Sequence, residues 1–282
     1  MAFENVRWAF NVCEWKPSKE ELLAASSYIQ PEEKDRIARF IFQDDAKSSL
    51  IGRLLMKKFV HLSANIPYEL IKLGRDDTGK PYLLESKVLP SFNVSHQGDY
   101  TVLAGNLHTN VGVDIMKIEP PVNKNIPDFF RIMNRQFSRH EWSTIRSYPS
   151  EMQQVACFYR MWCLKESYVK NIGIGITIPL DLISFSVQTP LKVNGIVTDT
   201  KLYLNNVLRD DWIFEETLLD EKHAVAVSLN TVGNYVTMEP QPFTLLSFED
   251  LVREARPVYQ SDARFTEDML IKKVKEFRTT GH

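Results

Sequence analysis

From about Glu151 to Ile172 no glycine or proline interrupts the chain, and Val155, Tyr159, Trp162, Val169 and Ile172 recur at steps of three, four or seven residues. That spacing predicts one long helix, and Gly173 predicts its end. At about 3.6 residues per turn, Trp162, Glu166 and Lys170 fall on a single stripe of it. An aromatic ring, a carboxylate and an amine then share the half-apolar side of one helix. Two readings follow. The bland one is an i,i+4 ion pair between Glu166 and Lys170 on a solvated face, worth about 0.3–0.5 kcal/mol. The other is a buried carboxylate, which needs a partner or a metal because desolvating a bare charge is costly.

Two further stretches bear on the choice. Val111-Gly112-Val113-Asp114-Ile115-Met116 reads as a strand with Val111, Val113 and Ile115 on one face, so Asp114 points the other way with Gly112 and Met116. Upstream lies Ser91-Phe92-Asn93-Val94-Ser95-His96-Gln97, another strand, in which Asn93 and Ser95 share a face. The three motifs Phe92-Asn93-x-Ser95-His96, Gly112-Val113-Asp114 and Trp162-x-x-Lys165-Glu166-x-x-x-Lys170 occur in that order. Together they resemble the signatures of the phosphopantetheinyl transferases, in their long, two-half animal form. The resemblance covers roughly Arg7 to Leu229.

It implies an α+β fold, a pseudo-dimer of two similar halves, each a long helix packed on a small antiparallel sheet, with the active site between them. The halves are expected at 1–108 and 109–230, with 231–282 as a C-terminal tail. It implies an enzyme that moves the phosphopantetheine arm of coenzyme A onto a serine of an apo acyl- or peptidyl-carrier domain, with release of 3′,5′-ADP. Carriers of the fatty acid synthase and aminoadipate-semialdehyde dehydrogenase type are the expected partners, and coenzyme A the co-substrate. Site roles follow by resemblance. Asp114 and Glu166 are expected to hold Mg²⁺, which commonly takes one or two carboxylates together with substrate phosphates and waters. Glu166 is the expected base for the serine hydroxyl, directly or through a metal-bound water. Lys170 and His96 complete the catalytic set. Arg36, Arg75, Gly79, Lys80, Asn93, Ser95, His96 and Lys170 are expected around coenzyme A. Shorter bacterial members carry a second acid where this chain has Met116, a poor Mg²⁺ ligand. Gln97 is therefore a candidate for the missing oxygen, direct or through water.

Each of these residues also has an ordinary reading: Arg36 as a surface helix residue, Gly79 as a turn, His96 as a strand-end histidine. Composition excludes other classes. A net charge of −2 gives no blanket attraction to nucleic acid or to a membrane surface. The six histidines have no HExxH spacing, so zinc is not expected, and no GxGxxG, GxxxxGK[ST] or GxSxG occurs. Cys13, Cys157 and Cys163 form no CxxC pair, which suits a reducing compartment, and no apolar run approaches the ~20 residues of a membrane helix. A cytosolic monomer is expected. A non-catalytic two-domain interaction module is the alternative.

Other elements read directly. Ser18 with Glu21 predicts a capping box opening a helix over Lys19–Tyr28, Pro31 opens a second, and Asp44 is expected to cap a long helix to about Ala64. Residues 71–84 read as a hairpin about the loop Gly74–Pro81. Strands are expected at 7–12, 91–94, 100–104, 182–187, 193–196, 201–204, 212–217 and 223–229. Tyr100–Ala104 and His223–Val227 look like equivalent strands of a weak internal repeat.

Overall fold

One strand, one long helix and one hairpin, in that order, make each half of the fold. The computed structural model describes residues 3–274 other than 78, 86–89, 123, 174–177 and 232–238. In the first half the strand is β1 (Asn5–Asn11). Two short helices follow, α1 (Lys19–Tyr28) and α2 (Pro31–Ala38), then the long α3 (Gln43–Ala64). A small ribbon, β2 (Leu73–Arg75) with β3 (Pro81–Leu83), precedes the hairpin β4 (Ser91–Gln97) and β5 (Tyr100–Asn106). The second half repeats the scheme. Its strand is β6 (Val111–Lys117), followed by α4 (Ile126–Ile132), α5 (Arg139–Arg146) and the long α6 (Glu151–Ile172). A three-stranded insert, β7 (Ile183–Ser186), β8 (Lys201–Leu204) and β9 (Val207–Arg209), leads to the hairpin β10 (Trp212–Asp220) and β11 (His223–Asn230). Both long helices have 22 residues.

The sheets match strand for strand. The first half pairs β1–β5–β4 and the second β6–β11–β10, antiparallel throughout. The central strands β5 and β11 are the pair read as equivalent. The chain is thus α+β, with two alike halves, as expected. The segment after 230, read as a tail, returns over its described part to the first half. Thr244–Leu245 form β12, parallel to β1, and α7 (Phe248–Val252) and α8 (Ala263–Ile271) send Leu251, Phe265 and Met269 into the first-half core.

The two sheets pack face to face. Ala9, Val102 and Ala104 from one meet Val111, Val113, Ile115, Val225, Val227 and Leu229 from the other in one apolar layer. Within it Arg7 of β1 is buried and pairs with Glu215 of β10 at 2.8 Å. At the rim the buried His223 accepts from the Asp99 N–H at 3.1 Å and meets Asp220 at 2.8 Å. The long helices cover the outer faces. Because successive side chains on a strand alternate, the same apolar layer turns Gly112 and Asp114 toward α6.

Gly112 is what lets that helix close on the strand. A Cβ there would lie 2.1 Å from the Ser167 carbonyl oxygen and 2.6 Å from the Asn171 nitrogen, both backbone atoms that cannot swing aside. Gly112→Ala is expected to push β6 from α6, to destabilise by about 1–3 kcal/mol as overpacking does, and to lower turnover because Asp114 moves with the strand. Thermal unfolding and a rate assay on the same preparation check both effects. An unchanged Tm would mean the contact is not tight.

Local signals worked where capping chemistry was explicit. Ser18 and Glu21 form the predicted capping box of α1, and α6 ends at Gly173, whose N–H donates to the Val169 carbonyl. The long first-half helix differs from its reading. It begins at Gln43 with Phe42 as N-cap, and Asp44 lies inside its first turn. The cause is tertiary: the Gln43 N–H donates to the Lys273 carbonyl at 2.8 Å, a partner more than two hundred residues away. The expected strand at 193–196 is only a bridge from Val193 to Leu218, and β9 has no counterpart in the sequence reading.

Candidate active site

A cleft of about 390 Å³ runs along the seam where β4 meets β6, between α3 on one side and α6 on the other. Arg36, Arg75, Gly79, Lys80, Asn93, His96, Glu166 and Lys170, all singled out by sequence, line it. They come from five separate elements, and only the closure of the two halves brings them together.

The seam itself explains the polar residues of β4. Ser91, Asn93 and Gln97 face β6 and accept from its backbone: Ser91 Oγ from Val111 N–H at 3.0 Å, Asn93 Oδ1 from Val113 N–H at 2.9 Å, and Gln97 Oε1 from Lys117 N–H. Side chains thus do between the halves what a ladder does within a sheet. Two expectations change as a result. Asn93 lines the cleft, but its carbonyl is committed to the strand. Gln97 spends its carbonyl on Lys117, three residues along β6 from Asp114, and this geometry does not direct it to a metal.

Ser95 continues the row differently. Its hydroxyl donates to Asp114 Oδ1 at 2.7 Å and accepts from Lys170 Nζ at 2.9 Å. It orients the acid and the amine instead of facing a nucleotide. Lys170 Nζ also donates to Asp114 Oδ1 at 2.6 Å. The bland ion pair between Glu166 and Lys170 is therefore not what forms: the lysine crosses from α6 to β6. Asp114 is 5% exposed, and its other oxygen, Oδ2, is buried with no hydrogen-bond partner. A buried carboxylate oxygen without a donor is costly unless a cation sits by it. Glu166, half-buried on the same stripe, makes no hydrogen bond among the described residues. Burial, and next the charge of Asp114, raise its carboxyl above the ordinary glutamate range, with Lys170 opposing. Two carboxylates that repel each other in a partly desolvated place, one with an orphaned oxygen, form a donor set that fits a hard divalent cation.

The opposite wall is cationic. Arg36, Arg53 and Arg75 all reach the carboxylate of Glu33, which is itself 8% exposed. The loop before β3 turns at Gly79, whose φ of 84° suits glycine, and the Gly79 carbonyl accepts from Arg75 Nη1 at 2.8 Å. Lys80 leaves this loop for the second half. Its ammonium donates to the Lys170 carbonyl at 2.9 Å at the C-terminal end of α6, where backbone carbonyls lack helical partners. Burial lowers its pKa, with Asp76 opposing. His96 stands exposed at the rim.

Lys165, in the same helical motif as Glu166, has a different task. It is fully buried, donates to the Leu180 carbonyl at 2.7 Å and pairs with buried Glu141 at 2.9 Å. It fastens α6 to α5 and to the segment before β7. Arg53 and Glu33 escaped the sequence reading. Each sits on an ordinary helical pattern, and nothing local distinguishes a buried helix arginine from a solvated one. The signal lay in their convergence, which only the fold supplies.

A cleft with Glu166 and Lys170 at one end and an arginine wall at the other, formed between two pseudo-symmetric halves, has the charges to take a polyanionic ligand. Family comparison gives the class its name. Residues 13–108 match the N-terminal 4′-phosphopantetheinyl transferase model, and residues 110–228 match the 4′-phosphopantetheinyl transferase superfamily. The chain belongs to the 4′-phosphopantetheinyl transferase family. It is 42% identical over 290 residues to the L-aminoadipate-semialdehyde dehydrogenase-phosphopantetheinyl transferase of Rattus norvegicus, covering 95% of this chain and 94% of the relative. The protein of the same description from Homo sapiens is 42% identical, with 94% and 90% covered. The 4′-phosphopantetheinyl transferase Sfp of Bacillus subtilis is 31% identical over 61% of this chain and 71% of its own length. This chain is accordingly a transferase that moves the phosphopantetheine arm of coenzyme A onto carrier proteins, in a family that generally depends on a divalent metal.

Proposed function

We propose that Asp114 and Glu166 hold Mg²⁺ at the acidic end of the cleft, and that the arginine wall holds the phosphates of coenzyme A. The observation that carries this is the orphaned Oδ2 of Asp114, whose other oxygen is held by Lys170, a residue that lines the cleft together with Arg36, Arg53 and Arg75. The ion would supply charge neutralisation on the transferring phosphate. The protein's own residues do the rest. Glu166 accepts the proton of the carrier serine as the serine oxygen attacks phosphorus. The new bond is serine oxygen to phosphorus; the pyrophosphate P–O bond breaks, and 3′,5′-ADP departs with its electron pair. Lys170 stays near the reacting phosphate while it steadies Asp114. Ser95 fixes both. Arg36 and Arg75 clamp phosphate through paired donors, which a guanidinium offers and an ammonium does not. Lys80 ties the loop to α6 and has a further proton for the ligand. His96 contributes at the rim.

The relatives' names point to an aminoadipate-semialdehyde dehydrogenase as one carrier-bearing partner, and so to lysine metabolism. A fatty acid synthase carrier is a second. We read the enzyme as a cytosolic monomer. Cys157 and Cys163 are buried free thiols, Cys13 is an exposed one, and no helix among the described residues is long and apolar enough to cross a membrane.

Calorimetric titration with coenzyme A tests the reading. Binding is expected to tighten when Mg²⁺ is added; binding indifferent to the ion would favour an interaction module. In steady state, Arg75→Ala is expected to raise KM for coenzyme A by about tenfold with kcat held, since Arg75 touches a part of the ligand that does not react. With dephospho-coenzyme A the same change should matter much less. A fall in kcat at constant KM would move Arg75 to the reacting centre.

A further inference from the structure

Three guanidiniums meeting at one carboxylate is an expensive arrangement, and the charges do not cancel. Arg36, Arg53 and Arg75 bring three positive charges and Glu33 one negative, which leaves two in excess. Arginines left to themselves would part. Here they converge, with Arg53 buried and Arg36 and Arg75 about one-third exposed. The Nε atoms of Arg36 and Arg53 lie 2.8 Å from Glu33 Oε2, and that of Arg75 lies 3.3 Å from Oε1.

The nitrogen used is the informative detail. All three contact Glu33 through Nε, the inner nitrogen of the guanidinium. Two of the outer Nη atoms have other acceptors. Arg36 Nη2 donates to Ser49 Oγ, Arg75 Nη1 to the Gly79 carbonyl, and Arg53 Nη1 is buried with no partner at all. Arg53 is 2% exposed and lines the cleft. So the carboxylate grips each fork from behind. Glu33 is itself well placed to do this, in the first turn of α2, with its backbone N–H closing the helix start on the Gln30 carbonyl.

We propose that Glu33 is a positioning residue for coenzyme A: a buried anion whose task is to hold three cations ready for the ligand's phosphates, with Arg53 as the third member of that wall. This rests on the proposed assignment of the cleft to coenzyme A. Pre-ordering side chains removes a cost the ligand would otherwise bear on binding. By Coulomb's law alone, replacing Glu33 with a neutral residue adds positive charge to the wall and should tighten an anionic ligand. By positioning, the same change frees three arginines and should weaken it. The two accounts predict opposite shifts in one number.

The experiment is steady-state transfer with coenzyme A varied at saturating apo-carrier and Mg²⁺, on wild type, Glu33→Gln and Glu33→Asp, with calorimetric Kd for coenzyme A beside it. Glu33→Gln is expected to raise KM and Kd by about tenfold or more while kcat stays within about twofold, the pattern of lost ground-state binding. Glu33→Asp keeps the charge but retracts the carboxylate, so it should fold if the glutamine variant does not, and should raise KM by a smaller factor. Unchanged or lower KM in either folded variant overturns the proposal, and so does a collapse of kcat at constant KM. If wild type itself shows no Mg²⁺-dependent binding of coenzyme A, the assignment of the cleft fails first, and that result is separate because it needs no Glu33 variant.

Discussion

Asp114→Ala is expected to abolish transfer to within the background of the assay while leaving the protein folded. The side chain faces α6, away from the apolar layer between the sheets, so its removal opens no gap in that layer. What it removes is an anion that Ser95 and Lys170 both hold in place, together with the orphaned oxygen that a cation would meet. Loss of a metal ligand should take away much of the several kcal/mol of charge stabilisation that a bound ion gives. Lys170, relieved of its partner, is 29% exposed at its side chain and can turn to solvent, so the stability cost should be well below the 3–5 kcal/mol typical of breaking a fully buried pair. Asp114→Asn is the sharper companion, because it keeps the shape and a hydrogen-bonding oxygen for Ser95 but not the charge. Circular dichroism and unfolding midpoints report the fold, and turnover reports the site. Turnover near wild type in a folded Asp114→Ala protein would remove the metal assignment.

Glu166→Gln should be nearly as damaging, for two reasons that act together. The amide keeps size and one oxygen but has neither the charge to hold Mg²⁺ nor the basicity to take the serine proton. We expect a loss of at least the ~10²–10⁴-fold typical of a missing general base, together with weaker Mg²⁺ dependence. Glu166→Asp keeps the charge on a shorter arm and should retain part of the metal response with impaired transfer. The comparison to make is turnover against Mg²⁺ concentration for both variants. A glutamine variant that recovers full rate at saturating Mg²⁺ would mean Glu166 is neither base nor necessary ligand.

Much of this site was legible in the sequence because its signals are local. The stripe Trp162, Glu166, Lys170 needs only helical spacing, and all three are half-buried as a stripe on the edge of a covered face would be. Asp114 opposite Val113 needs only strand alternation, and capping boxes need only four residues. The pseudo-repeat was visible as an outline and is far clearer in the sheets, where β1–β5–β4 and β6–β11–β10 share one order. What could not be read was pairing across the seam. Lys170 has Glu166 four residues away as its obvious partner, yet it takes Asp114 from β6 of the same half. Ser95 and Asn93 look free for a nucleotide until β6 arrives and claims them. Gln43 starts its helix two residues early because of Lys273. Glu33 is one of two acids in the first turn of α2, where such residues are ordinary. The deciding contacts reach from about twenty residues, as between Ser95 and Asp114, to more than two hundred, as between Gln43 and Lys273, and no local pattern encodes them.

The most direct measurement is the intact mass of a purified apo-carrier after incubation with this protein, coenzyme A and Mg²⁺. Parallel reactions would contain a chelator, and Asp114→Ala in place of wild type. The carrier should gain one phosphopantetheine unit on its serine in the complete reaction and in no other. An unmodified carrier in the complete reaction, or a modified one in the chelated reaction or with Asp114→Ala, would contradict the account of this cleft.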